Sequence, residues 1–140
     1  MNPFYFLIAI LAISCGGKSS QIDFGKTNVS ALIADKGNPL SEEELPEVKG
    51  RVLVYPEDQK FQVEEDIVTN EFRSPKGDEI NLIYWKHKFK DCPTTLKALP
   101  HKLVNHEAKE FEFKCPEKGL SVIHTQGAEK ILRVREYAKE

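Results

Sequence analysis

Cysteine, histidine and clustered carboxylates are the groups through which this chain could do chemistry. The 140 residues include three cysteines, Cys15, Cys92 and Cys115, and four histidines, His87, His101, His106 and His124. His101 and His106 stand five apart, a spacing that suits neither a strand pair nor a helical i,i+4 metal pair. Cys92 and Cys115 lack the CxxC pattern and the nearby histidine of a zinc site. Glu64-Glu65-Asp66 offers oxygens to a hard cation, but calcium takes six to eight of them at defined spacing, usually around a glycine turn. No EF-hand spacing surrounds the run. A hydrolase would need a nucleophile, a base and an orienting acid, and no serine or histidine here sits in an elbow or triad context. The expectation is therefore a non-enzyme, with no cofactor, no metal site and no small-molecule ligand identified.

An odd cysteine in an exported chain needs a modification or a partner, and the N-terminus supplies the context. Phe4 to Ile13 is an unbroken apolar run of ten residues. Spanning a bilayer takes roughly 20, so its length is that of a secretory h-region. The run ends in Ala12-Ile13-Ser14-Cys15, followed by the small and polar GGKSS. This stretch resembles the lipobox of bacterial lipoprotein precursors. Ala12 stands where that family most often has leucine, and Met1-Asn2-Pro3 carries no Lys or Arg. The resemblance implies cleavage between Ser14 and Cys15, and a diacylglycerol on the Cys15 thiol. Gly16 stands where enteric lipoproteins retained in the inner membrane have aspartate, which points to an outer-membrane address. Each buried CH₂ contributes about 0.8 kcal/mol and one chain alone binds only reversibly, so the two or three chains implied at Cys15 would anchor the protein durably. With Cys15 acylated, Cys92 and Cys115 remain as a pair. An oxidising compartment favours a bridge between them. The 24-residue loop it would close is worth about 3 kcal/mol in the chain-entropy model.

The elements that must position these residues begin after the tether. We divide the chain into a cleaved signal peptide (1–14), a lipidated tether (15–20), a linker with short strands or a helical turn (21–50), and a β domain (51–140). In the linker, Ser41-Glu42-Glu43-Glu44 has capping-box spacing, and Pro46 would end a helix at once. Period-two patterning starts at Arg51–Tyr55, then Phe61–Val63 and Ile67–Phe72, with the acidic run between the last two read as a bulge or bend. Ser74–Asp78 reads as a hairpin turn into a long strand, Glu79–Lys90. That strand would put Ile83, Trp85, His87 and Phe89 on one face, with His87 a hydrogen-bonded core residue and Lys86, Lys88 and Lys90 on the other. Thr94–Leu103 reads as a loop with a helical turn at Thr95–Leu99. Glu107–Cys115 alternates with Phe111, Phe113 and Cys115 inward, against Glu110, Glu112 and Lys114. Pro116–Gly119 turns it into Leu120–Thr125, and Lys130–Tyr137 is the last strand.

About seven strands at short spacing predict an all-β fold: an antiparallel sandwich, immunoglobulin-like in architecture, or a small barrel, with one disulfide. Residues 42–79 carry twelve acids and five bases, and residues 80–140 carry twelve bases and eight acids, while the whole chain is −2. The near-neutral total gives no case for nucleic acid, and the two halves balance if they pack side by side. The function expected is a lipid-anchored protein of the bacterial envelope, held to a membrane through Cys15, with a non-catalytic domain that binds or scaffolds an envelope partner. The alternative is a lipid-anchored inhibitor of a secreted enzyme such as lysozyme, whose small barrel inhibitors the Phe111–Tyr137 stretch loosely resembles.

Overall fold

The computed structural model describes residues 22–44, 48–99, 109–127 and 130–140. They form helix α1 (Val29–Lys36), strands β1 (Ser41–Glu43), β2 (Arg51–Tyr55), β3 (Gln59–Glu64) and β4 (Ile67–Arg73), helix α2 (Leu82–Lys88), and strands β5 (Thr95–Ala98), β6 (Glu110–Cys115), β7 (Leu120–Thr125) and β8 (Ile131–Tyr137). All pairings are antiparallel, in the order β1-β2-β3-β4-β8-β7-β6-β5. The expected all-β, disulfide-bridged class is what forms. Within it the strands make one open sheet, with no second sheet among the described residues. The barrel does not close, because β1 and β5 lie at opposite edges.

Two helices cover one face of this sheet and bury two separate apolar clusters. Under α1, Leu32 packs with Leu53, Tyr55, Phe61, Val63 and Val68. Under α2, Trp85 and Phe89 pack with Cys92, Cys115, Val122, Ile131 and Val134. Each fully buried side chain of this size contributes about 1.5–3 kcal/mol relative to exposure. Asn28 starts α1 by accepting the Ala31 N–H at 2.9 Å, and Gly37 stops it at φ +82°. Residues 22–44 pack into the folded body: the stretch expected as a linker with short strands or a helical turn supplies α1 and edge strand β1. Ser41–Glu43 extends along Val52–Val54 and caps no helix.

Glu79–Lys90 is not the strand that its alternation predicts. After β4 the chain takes a 3-10 turn, Gly77–Ile80, and then α2. Leu82, Trp85 and Phe89 lie at i, i+3 and i+7, so one helical stripe faces the sheet. Trp85 is fully buried and donates its Nε1–H to the Glu79 carbonyl at 2.7 Å. Ile83 is 67% exposed, being about 200° around the helix from Trp85. His87, two residues on the other side of Trp85, is exposed for the same reason and is no core residue. Lys88 lies over the Trp85 ring at 5.3 Å. Glu65 and Asp66 both adopt positive φ and close a two-residue hairpin between β3 and β4, where a bulge or bend was expected. The register shift falls between Gln62 and Val63 instead. Thr95–Ala98 is edge strand β5 rather than a helical turn.

Cys92, just beyond α2, is bridged to Cys115 at the end of β6, with Cα atoms 5.9 Å apart. The bridge fixes α2 onto the sheet that it covers.

Candidate functional site

One row of directly opposed residues crosses the helix-bearing face. It runs Leu53, Phe61, Glu71, Glu136, Leu120, Cys115 from β2 to β6. Its two ends feed the two apolar clusters. Its middle is a pair of glutamates on neighbouring strands. Like charges directly opposite one another destabilise a sheet, so this pair needs an account.

The pair stands in a cleft of about 920 Å³. Strands form its floor: Gln59 from β3, Glu71 and Arg73 from β4, and Glu136 from β8. Its rim comes from ends and turns: Lys36 closes α1, Lys76 precedes the 3-10 turn, Lys118 lies between β6 and β7, and Lys139 lies beyond β8. Ile22 and Phe24 add apolar surface. Gly119, also at the cleft, holds φ +61°, and a Cβ there would run into the Tyr137 carbonyl, so the turn needs glycine.

Arg73 does not neutralise the glutamates by contact. Its guanidinium forks onto Glu79, with Nη1 to Oε1 at 2.7 Å and Nη2 to Oε2 at 2.9 Å. That hydrogen-bonded pairing holds the Glu79 carboxyl below its ordinary range. Glu71 accepts from Gln59 Nε2 at 2.9 Å. Burial, then the Glu71 charge, pushes the Glu136 carboxyl up, against a lowering by Arg73. The floor is thus a strained acidic pair and the rim is cationic. Such groups hold ligands through charge, and a perturbed carboxyl in a cleft is a recurrent mark of a functional site.

The opposite face carries a polar chain that sequence alternation did not reveal. Gln62 Nε2 donates to the Lys49 carbonyl at 2.9 Å, Asn70 Nδ2 donates to Gln62 Oε1 at 2.6 Å, and Arg135 Nε donates to Asn70 Oδ1 at 2.8 Å. Arg135 Nη1 and Ser121 Oγ then both donate to Glu112 Oε2, at 2.8 and 2.7 Å. Glu110 and Glu112, read as outward, are buried at 1% and 5% exposure, while Phe111 and Phe113 are only half-buried. Lys114 and Arg135 each lie 4.9 Å from the Tyr137 ring centre. Burial, helped by Glu112, raises the Tyr137 phenol to about 12. The bonds from Gln62 through Asn70 and Arg135 to Glu112 read as architecture, while the buried Tyr137 hydroxyl beside them has no hydrogen-bond partner among the described residues.

Of the residues singled out from the sequence, Cys92 and Cys115 are brought together. Ser14, Cys15, His101 and His106 lie outside the described residues. His124 is buried on β7, with Nδ1 3.0 Å from the Thr125 carbonyl. Neither His87 nor His124 lines the cleft. Asp66 is held by Arg51 at 3.2 Å. The cleft residues were missed because Glu71 and Glu136 meet only through the β4–β8 pairing; their sequence signal is no more than a glutamate near the end of each of two expected strands. No family model, no curated protein and no solved structure matches this chain.

Proposed function

We propose that this chain is a lipid-anchored protein of the bacterial envelope, at the outer membrane, whose β domain binds a ligand or partner without catalysing its conversion. The observation that carries the reading is the Cys92–Cys115 bridge in the buried cluster under α2. Such bridges persist in oxidising compartments and are rare in the cytosol. It fits an exported chain, and the Ala12-Ile13-Ser14-Cys15 stretch supplies the export signal and a use for the third thiol. The cleft supports the binding role. It presents ion-pairing groups on a floor of paired strands, and rigid elements are what a binding site needs.

Replacing Cys15 by alanine tests the address. The expected outcome is loss of the protein from the membrane fraction or a block in its processing, with a diacylglyceryl mass on Cys15 in the wild type only. Unchanged membrane retention of C15A, with no lipid on the wild-type thiol, would refute the anchor. Crosslinking in the intact envelope then recovers the partner.

A further inference from the structure

The cleft is polarised from floor to rim. On the floor, Glu71 and Glu136 face each other across the β4–β8 pairing. The nearest guanidinium, Arg73, is already forked onto Glu79. On the rim stand Lys36, Lys76, Lys118 and Lys139. A plain anion would meet the rim and be repelled by the floor. A plain amine would meet the floor and be repelled by the rim. A ligand carrying both charges a few bonds apart satisfies both at once, and it relieves the repulsion between the two glutamates.

Building on the binding role above, we propose that this cleft takes a zwitterion of the phosphoethanolamine type, its primary ammonium between Glu71 and Glu136 and its phosphate among the rim lysines. Lysine suits the second task, because it meets phosphate as a mobile point charge. Ile22, Phe24 and Leu120 give the linking carbons an apolar wall. The volume of about 920 Å³ admits such a headgroup with room for what it is attached to. The same chemistry occurs in a free metabolite and in a phospholipid headgroup. No covalent step is involved.

Calorimetric titration of the full mature chain with O-phosphoethanolamine, ethanolamine and inorganic phosphate tests this. O-phosphoethanolamine is expected to bind at least about tenfold tighter than either fragment. Glu136→Gln is expected to lose about tenfold of that affinity while remaining folded, because it removes a repulsive charge. Lys118→Ala with Lys139→Ala is expected to lose the preference for the phosphorylated probe over ethanolamine. Equal affinity for O-phosphoethanolamine and inorganic phosphate overturns the proposal, as does an E136Q variant that binds like the wild type, or no binding of any probe. Reconstitution separates the two sources. If protein in phosphatidylethanolamine vesicles no longer takes up O-phosphoethanolamine while protein in phosphatidylglycerol vesicles does, the headgroup is the ligand; uptake in both identifies the free zwitterion. The lipid assay on Cys15 is independent of these titrations, so the anchor and the ligand can fail separately.

Discussion

Glu136 shows how a single carboxyl can work against its own fold. Burial and the facing Glu71 raise its proton affinity. The folded chain therefore holds a proton at pH values where the unfolded chain has released it. Stability falls as pH rises through the window between the ordinary carboxyl value and the raised one. Above that window the ionised pair is a standing cost. Glu136→Gln should then raise stability by about 0.5–1 kcal/mol at pH 7, with the gain fading below about pH 4. Thermal melts of both proteins at the two pH values check this; an E136Q variant less stable at pH 7 would count against the repulsion. Arg135 is the opposite case, since it joins Asn70 to Glu112 across the other face. Arg135→Met leaves a carboxylate of 6% side-chain exposure with Ser121 as its remaining side-chain donor among the described residues, and should cost about 3 kcal/mol in denaturant titration. A loss under about 0.5 kcal/mol, the scatter of ordinary surface changes, would mean water replaces the guanidinium freely. These roles were not legible in the sequence. Alternation alone assigns glutamate to the outside, and Glu112 is buried because Arg135 and Ser121 arrive from two other strands.

At the scale of the element, α2 is the instructive difference. Its residues Ile83, Tyr84 and Trp85 favour strands by type, and alternation over 80–89 supports that assignment. Leu82, Trp85 and Phe89 also fit a helix, and the packing decides for it: a helix here covers Val122, Val134 and the bridge. The two assignments part at Ile83 and Trp85, which share a face of a strand and oppose each other on a helix. Trp85→Ala should cost about 3–5 kcal/mol, and Ile83→Ser should stay within about 0.5 kcal/mol. Similar losses from both substitutions, measured as shifts in denaturation midpoint, would restore the strand. Strands β2, β7 and β8 were legible almost residue for residue, because each is a short run rich in Val, Ile and Leu between turn residues that end it. The β3–β4 hairpin was hidden, because its turn is Glu65-Asp66 and not the Asn-Gly or Asp-Gly that usually marks positive φ.

For the whole molecule, the two clusters and the disulfide define how the parts cohere. The α1 cluster is held by packing and by hydrogen bonds, from Val29 N–H to the Asp66 carbonyl and from the Tyr55 hydroxyl to the Gly37 carbonyl, both at 2.8 Å, while the α2 cluster has the covalent Cys92–Cys115 bridge. Cys92→Ser should therefore lower stability by about 3 kcal/mol under oxidising conditions, and reduction of the wild type should bring its melt to that of the variant. Coincident melting of the oxidised wild type and C92S would show that the bridge adds nothing. The division between sequence and structure follows the range of the interactions. Local order sufficed for the antiparallel β class, most strand limits and the lipobox resemblance, because these rest on alternation, turn residues and short spacings; the pairing of Cys92 with Cys115 followed from what that resemblance implies for Cys15. The single open sheet, the helix over the bridge, the buried glutamates and the polarised cleft were decided only by tertiary structure. Each depends on which strands become neighbours, and β4 meets β8 only after the intervening chain has folded back. That one pairing places Glu71 against Glu136, in the cleft that Lys36, Lys76, Lys118 and Lys139 also line.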